Sequence, residues 1–293
     1  MIKNSKIVLK SCIDKNDYDI LRNLEKICAE YDVLSFKSEL DYRLENAEQF
    51  GKRDDELNEF MYYVGNELAG YINISNFGGD DLEITGMVHP AYRNKRIFTQ
   101  LFALVQDECQ KRKSNEILLL CDNKSDIGIK FIEKFSQRHH HSEYDMVLNR
   151  DMFPQQYPGA LKIRKAAEGD ARAIADMNYD FFGIVVKEDD ASLAENIAKG
   201  RTFIAEADGT NAGSVRIELN DGIGGIYGLG VLSEYRGKGY GRELLMWSVE
   251  KLIEMGAGKV ILQVDTDNVN ALNLYKSCGF EEEHVMSYYL MRR

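Results

Sequence analysis

Proline is nearly missing from this chain. Only Pro90, Pro154 and Pro158 occur in 293 residues, and two of them fall in Asp151-Met-Phe-Pro-Gln-Gln-Tyr-Pro-Gly-Ala160, a stretch without apolar periodicity that reads as an interdomain linker. Long apolar runs are missing too: nothing approaches the roughly 20 uncharged apolar residues of a membrane span. The N-terminus lacks a secretory apolar core and a small-residue cleavage site. The five cysteines, Cys12, Cys28, Cys109, Cys121 and Cys278, are scattered, odd in number and never spaced as CxxC. That excludes a disulfide framework or a zinc site as the organising element and fits a reducing, cytoplasmic setting. Positive charge is in deficit. The net charge is -11, divided as -5 over residues 1–150 and -6 over 151–293. Neither half is a basic module, which argues against nucleic acid or an anionic membrane as main partner; a cationic substrate such as an amine is permitted.

The length suits two domains, and the sequence repeats itself. Val88 to Phe102 lies on Val231 to Leu245 at a constant offset of 143, with Val, Tyr, Arg, Lys and Leu coinciding. The same offset places Glu116–Asp122 on Lys259–Asp265 and Glu143–Leu148 on Met286–Met291. A repeat of this length is a duplicated domain rather than a solenoid unit. In the second copy, periodicity predicts strands over 161–166, 202–207, 213–219, 226–231, 260–264 and 287–291. Helices are expected over 168–182, 189–198, 240–255 and 271–277, with a hairpin turn at Asp208-Gly209. Strands and helices mixed in this order give an α/β or α+β sheet with helices on both faces. The expected domains are 1–150 and 161–293, joined by the linker 151–160.

The sharpest local feature is Tyr235-Arg-Gly-Lys-Gly-Tyr-Gly-Arg242, between an apolar strand and an amphipathic helix. Glycines let the backbone turn tightly and bring its N–H groups close to a ligand. The helix that follows offers unpaired N–H groups and the positive end of its dipole, which together suit a pyrophosphate. Arg236, Lys238 and Arg242 add positive charge. A Walker A loop needs Ser or Thr after the lysine, where Gly239 stands, and a Rossmann fingerprint needs glycine where Arg242 stands.

The spacing that fits is Arg-x-x-Gly-x-Gly at Arg236, Gly239 and Gly241. It resembles the pyrophosphate loop of the GNAT superfamily of N-acyltransferases. Ile226-Tyr-Gly-Leu-Gly-Val231 is similar to the strand that pairs with the pantetheine arm in that family. Asn268, Ala271, Tyr275, Gly279 and Phe280 match its Asn-x-x-Ala-x-x-x-Tyr-x-x-x-Gly-Phe segment. The resemblance covers nearly all of 161–293 and, eroded, most of 1–150. It implies two tandem GNAT-like domains, each a mixed, mostly antiparallel twisted sheet flanked by helices, in an architecture similar to that of mycothiol synthase. It further implies acetyl-CoA as cosubstrate, held by Leu229, Gly230, Val231, Arg236, Gly237, Lys238, Gly239, Tyr240, Gly241, Asn268 and Tyr275, and no metal.

The chemistry so implied is aminolysis of a thioester by direct attack, and no Cys-His or Gly-x-Ser-x-Gly arrangement suggests an acyl-enzyme. The amide near Gly230 or Val231 corresponds to the family's oxyanion donor. Tyr275 matches the usual general acid, or packs against the thiol without donating. Asn268 either bonds the pantetheine arm or caps a helix. The strand from Gly222 to Val231 has no carboxylate, so the base that deprotonates the amine is open among Glu218, Glu206, Asp180 and Tyr227, acting through water. The acceptor is expected to be a small amine. A protein lysine or N-terminal amine is the alternative, and a non-catalytic acyl-CoA sensor a third reading.

In the first copy the loop glycines are replaced by Asn94, Arg96 and Phe98, and the Tyr275 position falls on Ile132 or Phe131. Side chains there are expected to disfavour the loop's backbone shape and crowd out a pyrophosphate. This copy is therefore expected to be non-catalytic. Tyr31 to Asn58 is expected to be helix-like, and His139-His140-His141 to lie in an exposed loop rather than a metal site.

Overall fold

The computed structural model describes residues 2–50, 56–76, 81–154, 156, 159–183, 185 and 190–292, without the side chains of 48–50. The chain divides into two compact units, Met1–Glu143 with His284–Arg293, and Tyr144–Glu283.

The first unit contains β1 (Ser5–Lys10), α1 (Lys15–Asp32), α2 (Leu40–Phe50), β2 (Glu59–Val64), β3 (Glu67–Ser75), β4 (Leu82–Val88), α3 (Ile97–Cys109), β5 (Ile117–Asp122), α4 (Asp126–Ile132) and the first part of β6 (Ser136–Leu148). The second unit contains the end of β6, β7 (Lys162–Lys165), α5 (Ala171–Phe182), α6 (Ala191–Ala198), β8 (Thr202–Ala207), β9 (Thr210–Asn220), β10 (Ile223–Val231), α7 (Tyr240–Glu254), β11 (Lys259–Asp265), α8 (Val269–Ser277) and the start of β12 (Phe280–Met291). The expected elements of the second copy are all found, within a few residues at each end except for the last strand, which begins at Phe280, seven residues before its expected start at 287. The expected start of the 189–198 helix at Asp189, part of the 151–160 linker and residues 51–55 lie outside the described residues. No helix among the described residues is long and apolar enough to cross a membrane.

Local chemistry explains the elements. Asp14 and Asp17 form a reciprocal capping box at the start of α1. Asp208 and Gly209 both have positive φ, 51° and 79°, the geometry of the two-residue turn that matches strand twist. On α7, Leu244, Leu245, Val249 and Leu252 recur at helical spacing and are fully buried against the second unit's sheet.

Within each unit, β1 to β5 with β12, and β7 to β10 with β11, pair antiparallel except at one point. In the first unit, the order β1-β2-β3-β4-β5-β12 contains a parallel pair, β4 and β5, in register only over Leu82–Ile84 against Ile117–Leu119. In the second, the order β6-β11-β10-β9-β8-β7 contains β10 and β11, in register over Ile223–Ile226 against Lys259–Leu262. Beyond those residues no ladder pairing joins the two strands of either pair, which leaves their facing edges unpaired toward the C-terminal ends.

Two expectations need correction. The domain boundaries move: residues 144–150 belong to the second unit and 284–293 to the first. The cause is packing. β12 runs antiparallel to β5, and Met286 and Tyr288 are buried with Leu118 and Leu120 in the first unit, whereas Met146 and Leu148 join the core of the second. The three histidines lie within β6, not in a loop. His139 bonds Ser142 Oγ at 2.8 Å, His140 meets Glu116 at 2.9 Å, and His141 stacks on Tyr288 at 4.0 Å. No group of metal-ligating side chains is found among the described residues.

If β12 completes the first unit, a chain ending at Glu283 strips β5 of a partner. Hydrogen exchange should then show the amides of Leu119 and Cys121, which face β12, losing protection roughly 100-fold while those of α7 keep theirs. Equal loss in both places would show that the last strand supports the two units alike.

Candidate active site

The site of the second unit is built where β10 ends and α7 begins. Gly237 and Gly239 take left-handed backbone conformations, φ 76° and 85°, and a side chain at either would point into open space. Gly239 is the N-cap of α7 and carries no capping side chain, so the first-turn amides of Tyr240 and Gly241 face outward without a side-chain acceptor. A methyl at Gly241 would lie 3.5 Å from Leu274, ordinary contact distance. The turn is an open cradle of amides at a positive helix end, the arrangement that receives two linked phosphates.

The basic side chains expected to meet those phosphates are mostly occupied elsewhere. Arg236 donates from Nε to the Val231 carbonyl at 2.9 Å and pairs with Asp180 at 3.2 Å. Asp180 in turn accepts from Ser233 N at 3.1 Å and Ser233 Oγ at 2.8 Å. Arg242 donates to Ser277 Oγ and the Ser277 carbonyl, tying α7 to the end of α8. Lys238 holds its ammonium 5.0 Å from the centre of the Tyr235 ring. The loop's attraction for an anion therefore rests mainly on main-chain amides.

Ahead of the loop, β10 has a register break against β9: Tyr227 opposes Arg216 and Gly230 opposes Ser214, leaving Gly228 and Leu229 without ladder partners there. On its other side, pairing with β11 stops at Ile226. Main-chain groups of Leu229 thus lie at a point where the ladder on both sides is interrupted. The ring of Phe181, near the end of α5, sits against Gly230 so closely that an added methyl would fall 2.1 Å from it. Phe181 was not legible as a site residue. The only hint is an aromatic pair, Phe181-Phe182, at a helix end followed by glycine.

Tyr275 on α8 is 8% exposed, in the cluster that holds Leu244, Cys278 and Phe280. Burial alone pushes its phenol up to about 12, above the ordinary value near 10. Asn268 caps α8, its Oδ1 accepting from Ala271 N at 3.1 Å. Cys278 is buried with its thiol pushed upward by desolvation, as a core residue and not a nucleophile would be.

The base candidates separate. Glu206 accepts from Arg164 at 2.5 Å and meets Lys162 at 3.5 Å between β7 and β8, at the outer edge of the sheet. Asp180 braces the loop. Glu218 lies opposite Gly225 of β10, next to Arg216 and 3.5 Å from Arg201. Tyr227 lies beneath the Arg216 guanidinium, 4.4 Å from its ring centre.

The first unit keeps the same backbone with other side chains. Asn94 and Arg96 adopt φ 62° and 61°, matching Gly237 and Gly239, and Arg96 is the uncapped N-cap of α3. The shape is thus adopted even though non-glycine residues disfavour it: two exposed side chains bear it, at a cost of about 1–2 kcal/mol each. Arg93 repeats the brace, donating to the Val88 carbonyl at 3.1 Å and pairing with both oxygens of Asp32. Phe98 and Phe131, ring centres 4.7 Å apart, stand where Gly241 and Leu274 stand in the second unit. Ile132 is buried at the Tyr275 position. A cavity of about 600 Å³ opens beside this loop and extends past Thr85, Leu120 and Met286.

A family model described as the acetyltransferase (GNAT) family matches residues 20–136 and again 171–280. A mycothiol acetyltransferase from Corynebacterium aurimucosum is 43% identical over 64 residues, which span only 21% of this chain and 21% of that protein. One from Thermobispora bispora is 26% identical over 238 residues, 75% of this chain and 79% of the relative. Among solved structures, a GCN5-related N-acetyltransferase from Sphaerobacter thermophilus is similar with a TM-score of 0.79 at 20% identity, covering 98% of this chain and 96% of that one. A tandem GNAT protein from the clavulanic acid biosynthesis pathway gives 0.75 at 14% identity, with 99% of each chain covered. At such identities these two structures show the fold alone.

The brace at Asp180 has a measurable consequence. Asp180→Ala removes the carboxylate that accepts from Ser233 N, Ser233 Oγ and Arg236 at the surface. It should destabilise the second unit by about 1–2 kcal/mol, lowering its melting temperature by roughly 2–6 °C. A melting curve identical to that of the wild type would mean that the loop is held by other contacts.

Proposed function

The chain belongs to the acetyltransferase (GNAT) family, in its tandem form, and from that premise we propose that its second unit, residues 144–283, transfers the acetyl group of acetyl-CoA to the primary amine of a small molecule by direct attack. One observation carries the reading: the open turn from Arg236 to Gly241, uncapped at the start of α7, beside a β10 edge whose pairing with β11 has ended.

The fit to acetyl-CoA can be judged on this geometry. Amides from Gly237 to Gly241 hold the pyrophosphate, and a Cβ at 237 or 239 would project into the space it needs. The exposed edge from Leu229 to Val231 pairs with the pantetheine arm, satisfying main-chain groups that otherwise lack partners. An amide on the edge that β11 leaves open, at Leu229 or Val231, donates to the carbonyl oxygen as negative charge develops on it. Phe181, packed on Gly230, walls the acyl end and keeps water from the thioester.

Tyr275 donates toward the departing sulfur. Its phenol, pushed up by burial to about 12, keeps its proton throughout the neutral range, so the donor form is present at working pH. Raising a phenol's pKa extends the acid form upward, so loss of rate through its ionisation should not begin below about pH 10. Glu218 is the carboxylate proposed to take the amine's proton through water, because it faces β10 at Gly225. The degenerate loop chemistry of the first unit and the buried Ile132 at its phenol position support a non-catalytic role there.

Release of free CoA from acetyl-CoA with a panel of small amines, and with peptides bearing a free N-terminus or lysine, tests the acceptor class. Turnover with peptides alone would replace a small acceptor by a protein one, and tight binding without any turnover would leave a sensor. Tyr275→Phe should lower kcat roughly 100- to 1,000-fold with little change in acetyl-CoA KM. A descending rate limb near pH 8 in the wild type, or full activity of the variant, would remove the phenol from this role. An unchanged pH–rate profile for Glu218→Gln would remove that carboxylate.

The ligand's placement has its own test. Gly239→Glu puts a carboxylate before the amides at a backbone cost of about 1 kcal/mol. The fold should survive it, as Arg96 holds the same shape in the first unit. Calorimetry should show acetyl-CoA binding weakened roughly 100-fold, about 2.7 kcal/mol. Wild-type affinity would show that the phosphates lie elsewhere.

A further inference from the structure

The parallel pair of the first unit ends with one main-chain donor and one acceptor turned toward each other. On β4, Leu82 N–H bonds the Glu116 carbonyl, whereas His89 N–H bonds the Ala69 carbonyl beside β3. Alternation along the strand then turns Ile84, Gly86 and Val88 toward β5, and Thr85 and Met87 toward β3. On β5, Asn123 N–H bonds the Val285 carbonyl beside β12, so Leu118, Leu120 and Asp122 turn toward β4. The register of β4 and β5 stops at Ile84 and Leu119. One step further it would join Gly86 N–H to the Leu120 carbonyl, and that pairing is not made.

There is room at this point. Gly86, Val88, Leu120 and Asp122 all line the cavity of about 600 Å³, a volume that suits a small molecule. The cavity reaches both faces of the sheet. Ile84, Phe102, Leu119 and Ile132 wall it on the side covered by α3, and Met87, Leu120 and Met286 on the other. A molecule lying between the two edges therefore meets apolar side chains on either side.

Charge selects a neutral occupant. The acidic lining residues, Asp32, Asp122 and Asp126, are matched by Arg93, Arg96 and Lys124. Asp32 is paired with Arg93 at 2.9 Å. The buried Asp122 accepts from Ser35 N and Lys124 N, each at 2.8 Å, and meets His284 Nδ1 at 2.9 Å. An ion would give up its water here without an unmatched countercharge. The edges ask instead for one group that accepts on one side and donates on the other. A secondary amide does both, and its trans form points carbonyl and N–H in opposite directions, one toward each strand.

We infer that the first unit binds an uncharged compound with a secondary amide between two apolar ends, its carbonyl accepting from Gly86 N–H and its N–H donating to the Leu120 carbonyl. The occupant carries no diphosphate, because the rings of Phe98 and Phe131 stand together where the second unit has Gly241 and Leu274. The inference does not rest on the reading of the second unit, and it gives the first unit a ligand of its own.

N-benzylbutanamide and benzyl butanoate, similar in shape, test it on the full wild-type chain. The ester keeps the carbonyl and lacks the N–H. Calorimetry should show the amide binding at least roughly tenfold more tightly, because the ester leaves the Leu120 carbonyl covered without a donor. Residue-resolved hydrogen exchange locates the site: saturating amide should slow exchange of Gly86 N–H at least roughly tenfold and leave the amides of α7 unchanged. Acetyl-CoA should not reverse that protection. Four results would overturn the proposal: no binding of the amide up to about 1 mM, an ester as tight as the amide, Gly86 exchange unmoved by bound amide, or Gly86 protection lost on adding acetyl-CoA. The first three are read without acetyl-CoA, so they stand whether or not the second unit binds it.

Discussion

In each unit, two neighbouring parallel strands stop pairing before they end. β10 and β11 share four residue pairs, β4 and β5 three, and then the ladder is abandoned. Main-chain donors and acceptors buried without partners are costly, so a sheet that opens in its middle must find something to fill the gap. The register break at Gly228 and Leu229 deepens the need by interrupting the β9 side as well. A parallel pair also puts both C-terminal strand ends on one side, where the following helices begin. The unpaired edge of β10 and the uncapped N-terminus of α7 therefore come together as a consequence of topology.

The two units apply the same backbone to different chemistry. Left-handed residues recur at corresponding loop positions, glycines in one unit and Asn94 and Arg96 in the other. The brace from loop arginine to strand carbonyl and helix-end aspartate is also repeated, as Arg236 with Asp180 and as Arg93 with Asp32. What differs is the space in front of the amides. Phe98 and Phe131 bring two rings together where the second unit has a glycine and a leucine. The first unit also carries Glu83 on its fourth strand, whereas the corresponding β10 has no carboxylate. The turn's shape is retained at the cost of holding two ordinary residues in left-handed conformations, which points to a brace that over-determines the backbone rather than to glycine alone.

Much of this was legible in the sequence because periodicity and turn chemistry are local. The hairpin at Asp208-Gly209, the amphipathic α7 and the glycine turn each need only a few neighbouring residues to declare themselves. The 143-residue repeat exposed the duplication. What could not be read depends on contacts distant along the chain. Nothing near Arg236 announces that Asp180, 56 residues earlier, will occupy it. The ring of Phe181 against Gly230 is of the same kind. The destination of the last strand was hidden because its alternating pattern suits any sheet edge, and only the burial of Met286 and Tyr288 beside Leu118 and Leu120 decides it. The histidine run was misplaced for a related reason: three polar residues suggest a loop, yet β6 is long enough to continue through them.

The fate of the basic side chains changes how specificity in the second unit should be understood. A loop with two arginines and a lysine suggests binding by charge, which would accept many phosphates and fall steeply with salt. Here Arg236 and Arg242 are spent on Asp180, Val231 and Ser277, positions that fix the loop against α5, β10 and α8. Their positive charge still contributes to the local field, but their donors are directed inward. On the proposed binding of acetyl-CoA, recognition falls to amides whose directions are set by the backbone, and two phosphates joined at a fixed separation gain more from them than an isolated anion does. Rigidity is what such a site requires, and the arginines supply it.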